Sequence, residues 1–249
     1  YNPWLVTLSL IVAVLSSFMG LQIADYAANN QHSKRRQLAI FAGAIALGGG
    51  VWSMHFIGMT AFILCTPVSY DLPITGISII PSLLASWIAL NLTSRANISK
   101  KILLLGGILV GSGIGSMHYL GMAAMQMAPL LRYDLELFVL SILVAVSLSV
   151  IALWIKFALN QSNFLHLNNR SKTLIAALVM GFAIAGMHYT GMAAARFVLP
   201  PGLELSNQPS EISLYLGLGI GIITLFIIGF VLTIHYLFKV RDLSRRSSD

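Results

Sequence analysis

Long apolar stretches alternate with short polar segments along the whole chain. Seven stretches have the length of a bilayer-crossing helix, which needs about 20 apolar residues. They cover roughly residues 4–27, 38–66, 74–93, 102–127, 137–158, 173–198 and 212–238. The pattern predicts an all-α membrane protein with seven transmembrane helices.

Basic residues concentrate in alternate polar segments, which predicts the orientation. Thirteen lysines and arginines lie on the side that follows the first, third, fifth and seventh spans, and only Arg132 and Arg196 lie on the other. Short loops rich in Lys and Arg stay in the cytoplasm. We therefore expect the N-terminus outside the cell and the C-terminus in the cytoplasm.

Composition agrees with a membrane protein and narrows the chemistry. Of the 249 residues, 57% are hydrophobic and only 9% are charged, whereas a soluble domain carries about 25% charged residues. The net charge of +7 does not indicate nucleic-acid binding, because the basic residues lie in short loops. The single Cys65 excludes an internal disulfide and a cysteine-based metal cluster. The start at Tyr1 and the end at Asp249 lead us to expect a piece of a longer protein.

One six-residue motif occurs three times inside the apolar stretches. It consists of Met, His, an aromatic residue, a variable residue, Gly and Met. The copies are Met54–Met59, Met117–Met122 and Met187–Met192. The motif histidines are His55, His118 and His188, spaced by 63 and then 70 residues. Since that spacing is about one helical hairpin, the motif indicates an internal repeat.

The repeat extends well beyond the motif. A glycine lies seven residues before each histidine, at Gly48, Gly111 and Gly181. We predict three parallel hairpin repeats, at about residues 4–66, 74–127 and 137–198, around a pseudo-threefold axis normal to the membrane. The second, fourth and sixth spans would face each other, and small residues allow such helices to approach closely. The candidate packing glycines are Gly48, Gly58, Gly111, Gly121, Gly181 and Gly191.

The predicted domain covers residues 1–240. The seventh span, at about residues 212–238, has no partner in this repeat scheme. Residues 241–249 would begin a cytoplasmic linker.

The motif carries the ligands of a soft metal ion. His and the second Met are four residues apart, so they share one face of a helix. Imidazole with thioether favours copper, especially Cu(I), whereas zinc and harder ions favour thiolates or carboxylates, and no carboxylate lies near the motifs. The candidate ligands are His55, His118, His188, Met54, Met59, Met117, Met122, Met187 and Met192.

All three motifs are predicted at one depth, seven or eight residues before the outer loop. Tyr119 and Tyr189 are candidate hydrogen-bond partners of the ligands, although Phe56 replaces Tyr in the first copy.

Asp25, near the inner end of the first span, needs water or a partner there, for which Arg35 or Arg36 could serve. No nucleophile with a neighbouring base is visible in the spans, so we do not expect an enzyme in this part of the protein.

The segment Met187-His188-Tyr189-Thr190 resembles the signature of the MHYT domain family of bacterial membrane sensors, and the other two motifs resemble its further repeats. The resemblance covers nearly the whole chain. It implies an inner-membrane domain that binds copper, senses O2, CO or NO, and is attached to a cytoplasmic diguanylate cyclase, cyclic di-GMP phosphodiesterase or kinase. None of those catalytic domains is present in these 249 residues.

Several functions fit the motif. The first is a sensory domain in which a gas or a redox change shifts the hairpins, and the seventh helix passes the shift to the tail. The second is copper transport or delivery. The third is haem held by two histidines, which the methionines disfavour. Membrane lipid and a cytoplasmic output domain are the expected partners, nucleic acid is not, and a homodimer remains open.

Overall fold

A computed structural model describes residues 1–29, 32–64, 66–95, 97–161, 167–198 and 219–226, with positions 229, 233 and 236. Its helices are α1 (Pro3–Ala28), α2 (Ser33–Ala61), α3 (Leu72–Ile77), α4 (Ile79–Thr93), α5 (Lys100–Ala123), α6 (Leu135–Gln161) and α7 (Asn169–Ala194). Its strands are β1 (Ser69–Tyr70), β2 (Met125–Gln126), β3 (Leu130–Tyr133) and β4 (Ala195–Val198).

Among the described residues, six helical spans are long and apolar enough to cross a membrane, and α3 and α4 together make one of them, Leu72–Thr93. The break at Ser78 follows from Pro81, which has no N–H to donate to Ile77 and whose ring crowds that carbonyl. The all-α fold and the first six predicted spans are confirmed. Residues 219–226 are helical, and most of the predicted span at 212–238 lies outside the described residues.

The six spans form a closed ring. Neighbours contact each other in the order α1, α2, α4, α5, α6 and α7, and α7 contacts α1 again. The motif helices α2, α5 and α7 also contact each other across the centre. This is the predicted pseudo-threefold bundle, with one motif helix from each repeat on the inside.

The ends of the ring differ in charge. We call the end where α2, α5 and α7 finish the motif end, and the opposite end, where these helices begin, the basic end. Among the described residues, nine cations belong to the basic end: Lys34, Arg35, Arg36, Arg95, Lys100, Lys101, Lys156, Arg170 and Lys172. Only one described carboxylate, Asp25, lies there.

The same turn follows every motif helix. A backbone hydrogen bond of 2.7–2.9 Å links the end of a motif helix to the cap of an outer helix, joining Ala61 to Asn2, Ala124 to Asp71, and Ala194 to Asp134. Each cap's side chain accepts a hydrogen bond from the first turn of its helix, which satisfies a free N–H. Thus α1 occupies the place beside the end of α2 that α3 occupies beside the end of α5, and α6 beside the end of α7.

The motif helices end earlier than predicted. They finish at Ala61, Ala123 and Ala194, and short antiparallel strand pairs, β1 with β2 and β3 with β4, follow. The predicted limits of 66, 127 and 198 were wrong because the apolar residues beyond the helices cover the motif end. Hydropathy alone does not distinguish such a cover from a longer span.

A buried ion pair ties three helices together near the basic end. Lys156 of α6 is only 1% exposed, and its Nζ lies 2.9 Å from Oδ1 of Asp25 in α1. The hydroxyl of Thr173 in α7 donates to the other carboxylate oxygen at 2.8 Å. The sequence analysis counted Lys156 among the basic residues of the inner side and named Arg35 or Arg36 as possible partners of Asp25. The structure identifies Lys156 as a partner, because α6 continues past this residue and turns it inward.

Candidate metal centre

The three motif histidines meet on the axis of the bundle. His55, His118 and His188 come from α2, α5 and α7, and each is 0% exposed. Nδ1 of His55 lies 3.1 Å from Nδ1 of His188 and 3.1 Å from Nδ1 of His118. The rings stand nearly perpendicular to one another, at 81–84°. They form a three-bladed propeller with nitrogen atoms at its hub.

Each histidine rests on the motif glycine of another repeat. A Cβ at Gly58 would come within 3.0 Å of the ring of His188. The same relation joins Gly121 to His55, and Gly191 to His118. Only glycine leaves room for a ring at these positions, since any larger residue would push the imidazole away. We call each of these glycines a glycine seat. In all three pairs the glycine of one repeat supports the histidine of the next repeat in the same direction around the bundle axis.

The nitrogen atoms at the hub cannot all be satisfied by hydrogen bonds between neutral imidazole rings. A neutral ring nitrogen is either a donor or an acceptor, and Nδ1 of His55 faces two other Nδ1 atoms. Within the described part of the chain, none of the three Nε2 atoms has a hydrogen-bond partner, although the main chains of Gly191 and Gly58 come near those of His118 and His188. If the protons sit on Nε2, three lone pairs point at the hub, which is an arrangement that suits a cation.

The hub also has suitable dimensions. An ion bonded to three imidazole nitrogens at about 2.0 Å in a plane holds them about 3.5 Å apart, close to the 3.1 Å separations observed. The potential ligand nitrogens lie within 4.8 Å of one another, and no carboxylate joins them in the described residues. The three histidines therefore fit a transition-metal ion with nitrogen ligands.

The six motif methionines divide into two groups. The second methionines, Met59, Met122 and Met192, pack together in one cluster, one helical turn beyond the histidines toward the motif end. The first methionines are equally buried but belong to the main apolar core: they are Met54, Met117 and Met187. The structure therefore brings three thioethers together above the hub and places the other three in the surrounding core.

Aromatic residues beside the histidines are fixed by serines of the outer helices. The phenol oxygen of Tyr119 lies 2.5 Å from the hydroxyl oxygen of Ser141. The phenol oxygen of Tyr189 lies 3.0 Å from the hydroxyl oxygen of Ser9. In the first repeat, the indole N–H of Trp52 donates to Ser78 at 3.0 Å, which compensates for the missing hydroxyl of Phe56.

These serines were missed in the sequence analysis, although a signal was present. Ser9, Ser78 and Ser141 each lie seven residues after the cap of an outer helix, at Asn2, Asp71 and Asp134. A comparison of the outer helices in register from their caps would have found them.

At the motif end, burial raises the pKa of Tyr133 to about 12, so this phenol stays protonated at neutral pH.

The glycines seven residues before the histidines make a different helix–helix contact from the one predicted. A Cβ at Gly48 would lie 2.9 Å from Cα of Leu83, and one at Gly111 would lie 2.6 Å from Cα of Val146. Gly181 has the same relation to Val14. These glycines bring motif helices against outer helices, so the prediction that they join the motif helices to each other was wrong.

An apolar cavity lies on the axis, on the basic side of the histidines. Its volume is about 30 Å³. Val51, Ile114 and Ile184, each four residues before a motif histidine, form part of its wall, and Ser86 and Ser149 are the hydroxyl-bearing residues in its lining. The cavity therefore lies within about one helical turn of the hub.

Comparison with known proteins supports the internal repeat. The MHYT family, described as a bacterial signalling protein N-terminal repeat, matches residues 48–106, 111–167 and 181–246. Each match begins at the glycine seven residues before a motif histidine and extends through the whole of the span that follows in the predicted scheme. No solved structure matches the chain significantly.

Relatives are larger signalling proteins. The bifunctional diguanylate cyclase/cyclic di-GMP phosphodiesterase MucR of Pseudomonas aeruginosa is 47% identical over 204 residues, which cover 80% of this chain and 28% of that protein. The cyclic di-GMP phosphodiesterase NbdA of the same organism is 37% identical over 218 residues, covering 87% and 27%. The signaling protein YkoW of Bacillus subtilis is 33% identical over 226 residues, covering 88% and 27%.

This chain spans little more than a quarter of the length of those relatives. It shows no evident catalytic domain of its own, and the enzymatic names belong to the longer proteins. The six spans and the three matched segments describe a multi-pass membrane protein with a repeated signalling module. The chain belongs to the MHYT family of bacterial signalling protein N-terminal repeats.

Proposed function

We propose that this chain is a copper-binding sensory domain of the bacterial inner membrane, which passes its signal to a cytoplasmic cyclic di-GMP signalling domain. The observation that carries the proposal is the convergence of three buried Nδ1 atoms on the axis. A histidine in a membrane span has a high energetic cost unless it has a functional partner. Three such residues, each seated on a glycine, are well suited to holding one ion.

The chain's own donors favour copper. His55, His118 and His188 would hold the ion, and the cluster of Met59, Met122 and Met192 would cover it from the motif end. Imidazole and thioether are ligands that copper accepts in both its common oxidation states. Copper, when bound, supplies a redox-active centre that interacts with diatomic gases. The excess of positive charge at the basic end favours a cytoplasmic location for that end, so the motif end would face outward.

Metal analysis tests this proposal. We expect the purified chain to bind about one copper ion, and the triple variant His55→Ala, His118→Ala, His188→Ala to bind none, because the three nitrogens form one site. His32→Ala is the matched control, since His32 is exposed at the basic end, and it should bind as much copper as the wild type. Equal copper in the triple variant and the wild type, with both folded, would contradict the proposal.

The axial cavity favours a gas as the signal. A mainly apolar cavity of about 30 Å³ accepts a small uncharged molecule and rejects a hydrated ion, since an ion loses its water shell there. Its position beside the histidine layer would hold a diatomic molecule near the centre. This favours gas sensing over a response to ionic oxidants.

A cavity-filling variant tests that role without any metal. Ser149→Leu should fill the cavity and lower xenon binding to the metal-free chain by at least about tenfold, because xenon occupies dry apolar cavities. Ser147→Leu places the same side chain on the exposed face of the same helix and should leave xenon binding unchanged. ¹²⁹Xe NMR in detergent measures both. An equal effect of the two substitutions would remove the cavity from the proposal.

Contacts of α2 connect the histidine centre to the helical segment 219–226, and we propose that the signal follows them. The hydroxyl of Thr224, in the helical segment 219–226, donates to Ser53, which lies two residues before His55. Gly221 of that segment also faces Ile57 of α2. A shift of the motif helix would reach this segment directly, and the chain continues from it toward the C-terminus.

The two alternative functions receive less support. A copper ion moving through the bundle would meet the buried ammonium of Lys156, which repels cations. Haem held by two histidines requires about 4 Å between the ligating nitrogens, with the porphyrin between them. The 3.1 Å separations and the packed rings leave no such space.

A further inference from the structure

One face of α5 exposes hydroxyl groups at the depth of the membrane interior. Ser112 and Ser116 lie near the middle of this helix, and both are exposed, as is Ala123 farther along the same stripe. Leu109, one turn nearer the basic end, is 55% exposed. Residues three or four apart are neighbours on a helix surface, so these residues form one stripe, which we call the α5 face. Its central residues are small, so it forms a shallow groove.

The corresponding face of the first repeat already holds a helix. Ser53 lies two residues before its motif histidine, as Ser116 does in the second repeat. Ser53 is only 4% exposed, and Thr224 of the helical segment 219–226 donates a hydrogen bond to its hydroxyl group. Within this fold, a face of this kind therefore binds a helix through small and hydroxyl-bearing residues, which are typical of helix contacts in membranes.

The third repeat lacks this groove, and the second repeat leaves it open. Phe182, which is 58% exposed, stands in the third repeat where the second has Ser112. The hydroxyl of Thr190 donates to the carbonyl of Gly186 in its own helix at 2.9 Å, whereas within the described part of the chain neither Ser112 nor Ser116 has such a bond. Lipid tails accept no hydrogen bonds, so a second helix satisfies these two hydroxyl groups better than lipid does.

We propose that the α5 face binds the α5 face of a second molecule of this chain. Both molecules have the same orientation in the membrane, so a twofold axis along the membrane normal brings the two faces together. Serines four residues apart allow two helix backbones to approach closely. A hydroxyl group both donates and accepts hydrogen bonds, so the same residue can serve on either side of the contact.

The partner is a second molecule of this chain because the α5 face is complementary to itself. Under a twofold axis, Ser112 and Ser116 meet their own counterparts, and Leu109 meets another leucine. Each hydroxyl group then finds a polar partner and each apolar side chain an apolar one. The segment 219–226, which occupies this place in the first repeat, is already held by Ser53. The dimer uses no motif residue, so it does not depend on bound copper.

Disulfide cross-linking in membranes tests the geometry. After Cys65→Ala removes the native cysteine, Ser116→Cys should form a linked dimer under mild oxidation, because the twofold axis brings the two cysteines within the short span of a disulfide. Ser147→Cys is the matched control, since Ser147 is exposed on α6 and away from the α5 face. It should give less than about a tenth of that dimer. Equal cross-linking at the two positions would overturn the proposal.

The strength of association in lipid provides a second measurement. Single-molecule photobleaching counts the chains per cluster in liposomes over a series of protein-to-lipid ratios, with one fluorophore at each C-terminus. Ser116→Leu should weaken the dimer by at least about tenfold, because the larger side chain holds the two helices apart. Ser147→Leu should change it by less than about twofold, since that side chain faces lipid. A wild type that stays monomeric at every ratio, or equal weakening by both substitutions, would overturn the proposal, whatever the copper content of the chain.

Discussion

Gly58→Ala will displace the ring of His188 and lower copper affinity by at least about tenfold, with a loss of about 1–3 kcal/mol in the free energy of unfolding. The added methyl group would occupy the space of the imidazole, which is packed against two other rings and has nowhere to move. Copper titration and unfolding in detergent measure the two effects. The same result is expected for Gly121→Ala and Gly191→Ala.

The matched control lies in the same helix. Nothing lies within 4 Å of a Cβ built at Gly49, so Gly49→Ala should leave copper affinity unchanged and stabilise α2 by up to about 1 kcal/mol. A Gly58→Ala variant that behaves like Gly49→Ala would show that the glycine seats are not needed. Loss of copper with full stability would still support the seats, since it separates ring position from folding.

Asp25→Asn will destabilise the chain by about 3–5 kcal/mol, because it leaves the ammonium of Lys156 buried without a counter-charge. Lys156 is 1% exposed, and the new amide cannot neutralise it. Combining Asp25→Asn with Lys156→Met should recover most of the loss, since it removes both charges and keeps the length of the side chain. Unfolding in detergent measures the three variants against the wild type.

An exposed pair provides the comparison. Arg196 lies 3.3 Å from Asp134, and their side chains are 51% and 36% exposed. Asp134→Asn should cost less than about 1 kcal/mol, because solvent screens such pairs and Asn caps a helix as well as Asp does. If Asp25→Asn cost no more than Asp134→Asn, the ammonium would have another source of compensation.

The sequence predicted those parts of the fold that depend on local patterns. Length and hydropathy identified the spans, and the spacing of the motifs identified the threefold ring, because both properties repeat along the chain. Shared depth correctly brought His55, His118 and His188 together. The motif histidines lie only five or six residues from the helix ends at Ala61, Ala123 and Ala194, rather than the predicted seven or eight from the outer loop, since the covering segments were counted as helix.

Contacts between repeats could not be predicted in the same way. The seat of His188 on Gly58 depends on how α7 is rotated against α2, and helical periodicity gives no information on rotation between helices. The pairing of Lys156 with Asp25 spans 131 residues, whereas the sequence analysis considered arginines near Asp25 in the chain. Trp52, which replaces a tyrosine hydroxyl by reaching Ser78, breaks the repeat and so was invisible to an alignment of the three copies.

The directional seating of each histidine on another repeat has a consequence for how this fold can be assembled. No single repeat holds a complete binding element, because its imidazole and the glycine beneath that imidazole belong to different copies. Ring closure between α1 and α7 is therefore a condition for the centre to exist at all. A chain shortened by one repeat would lose the whole centre rather than a third of it, which makes the three copies one indivisible cooperative unit.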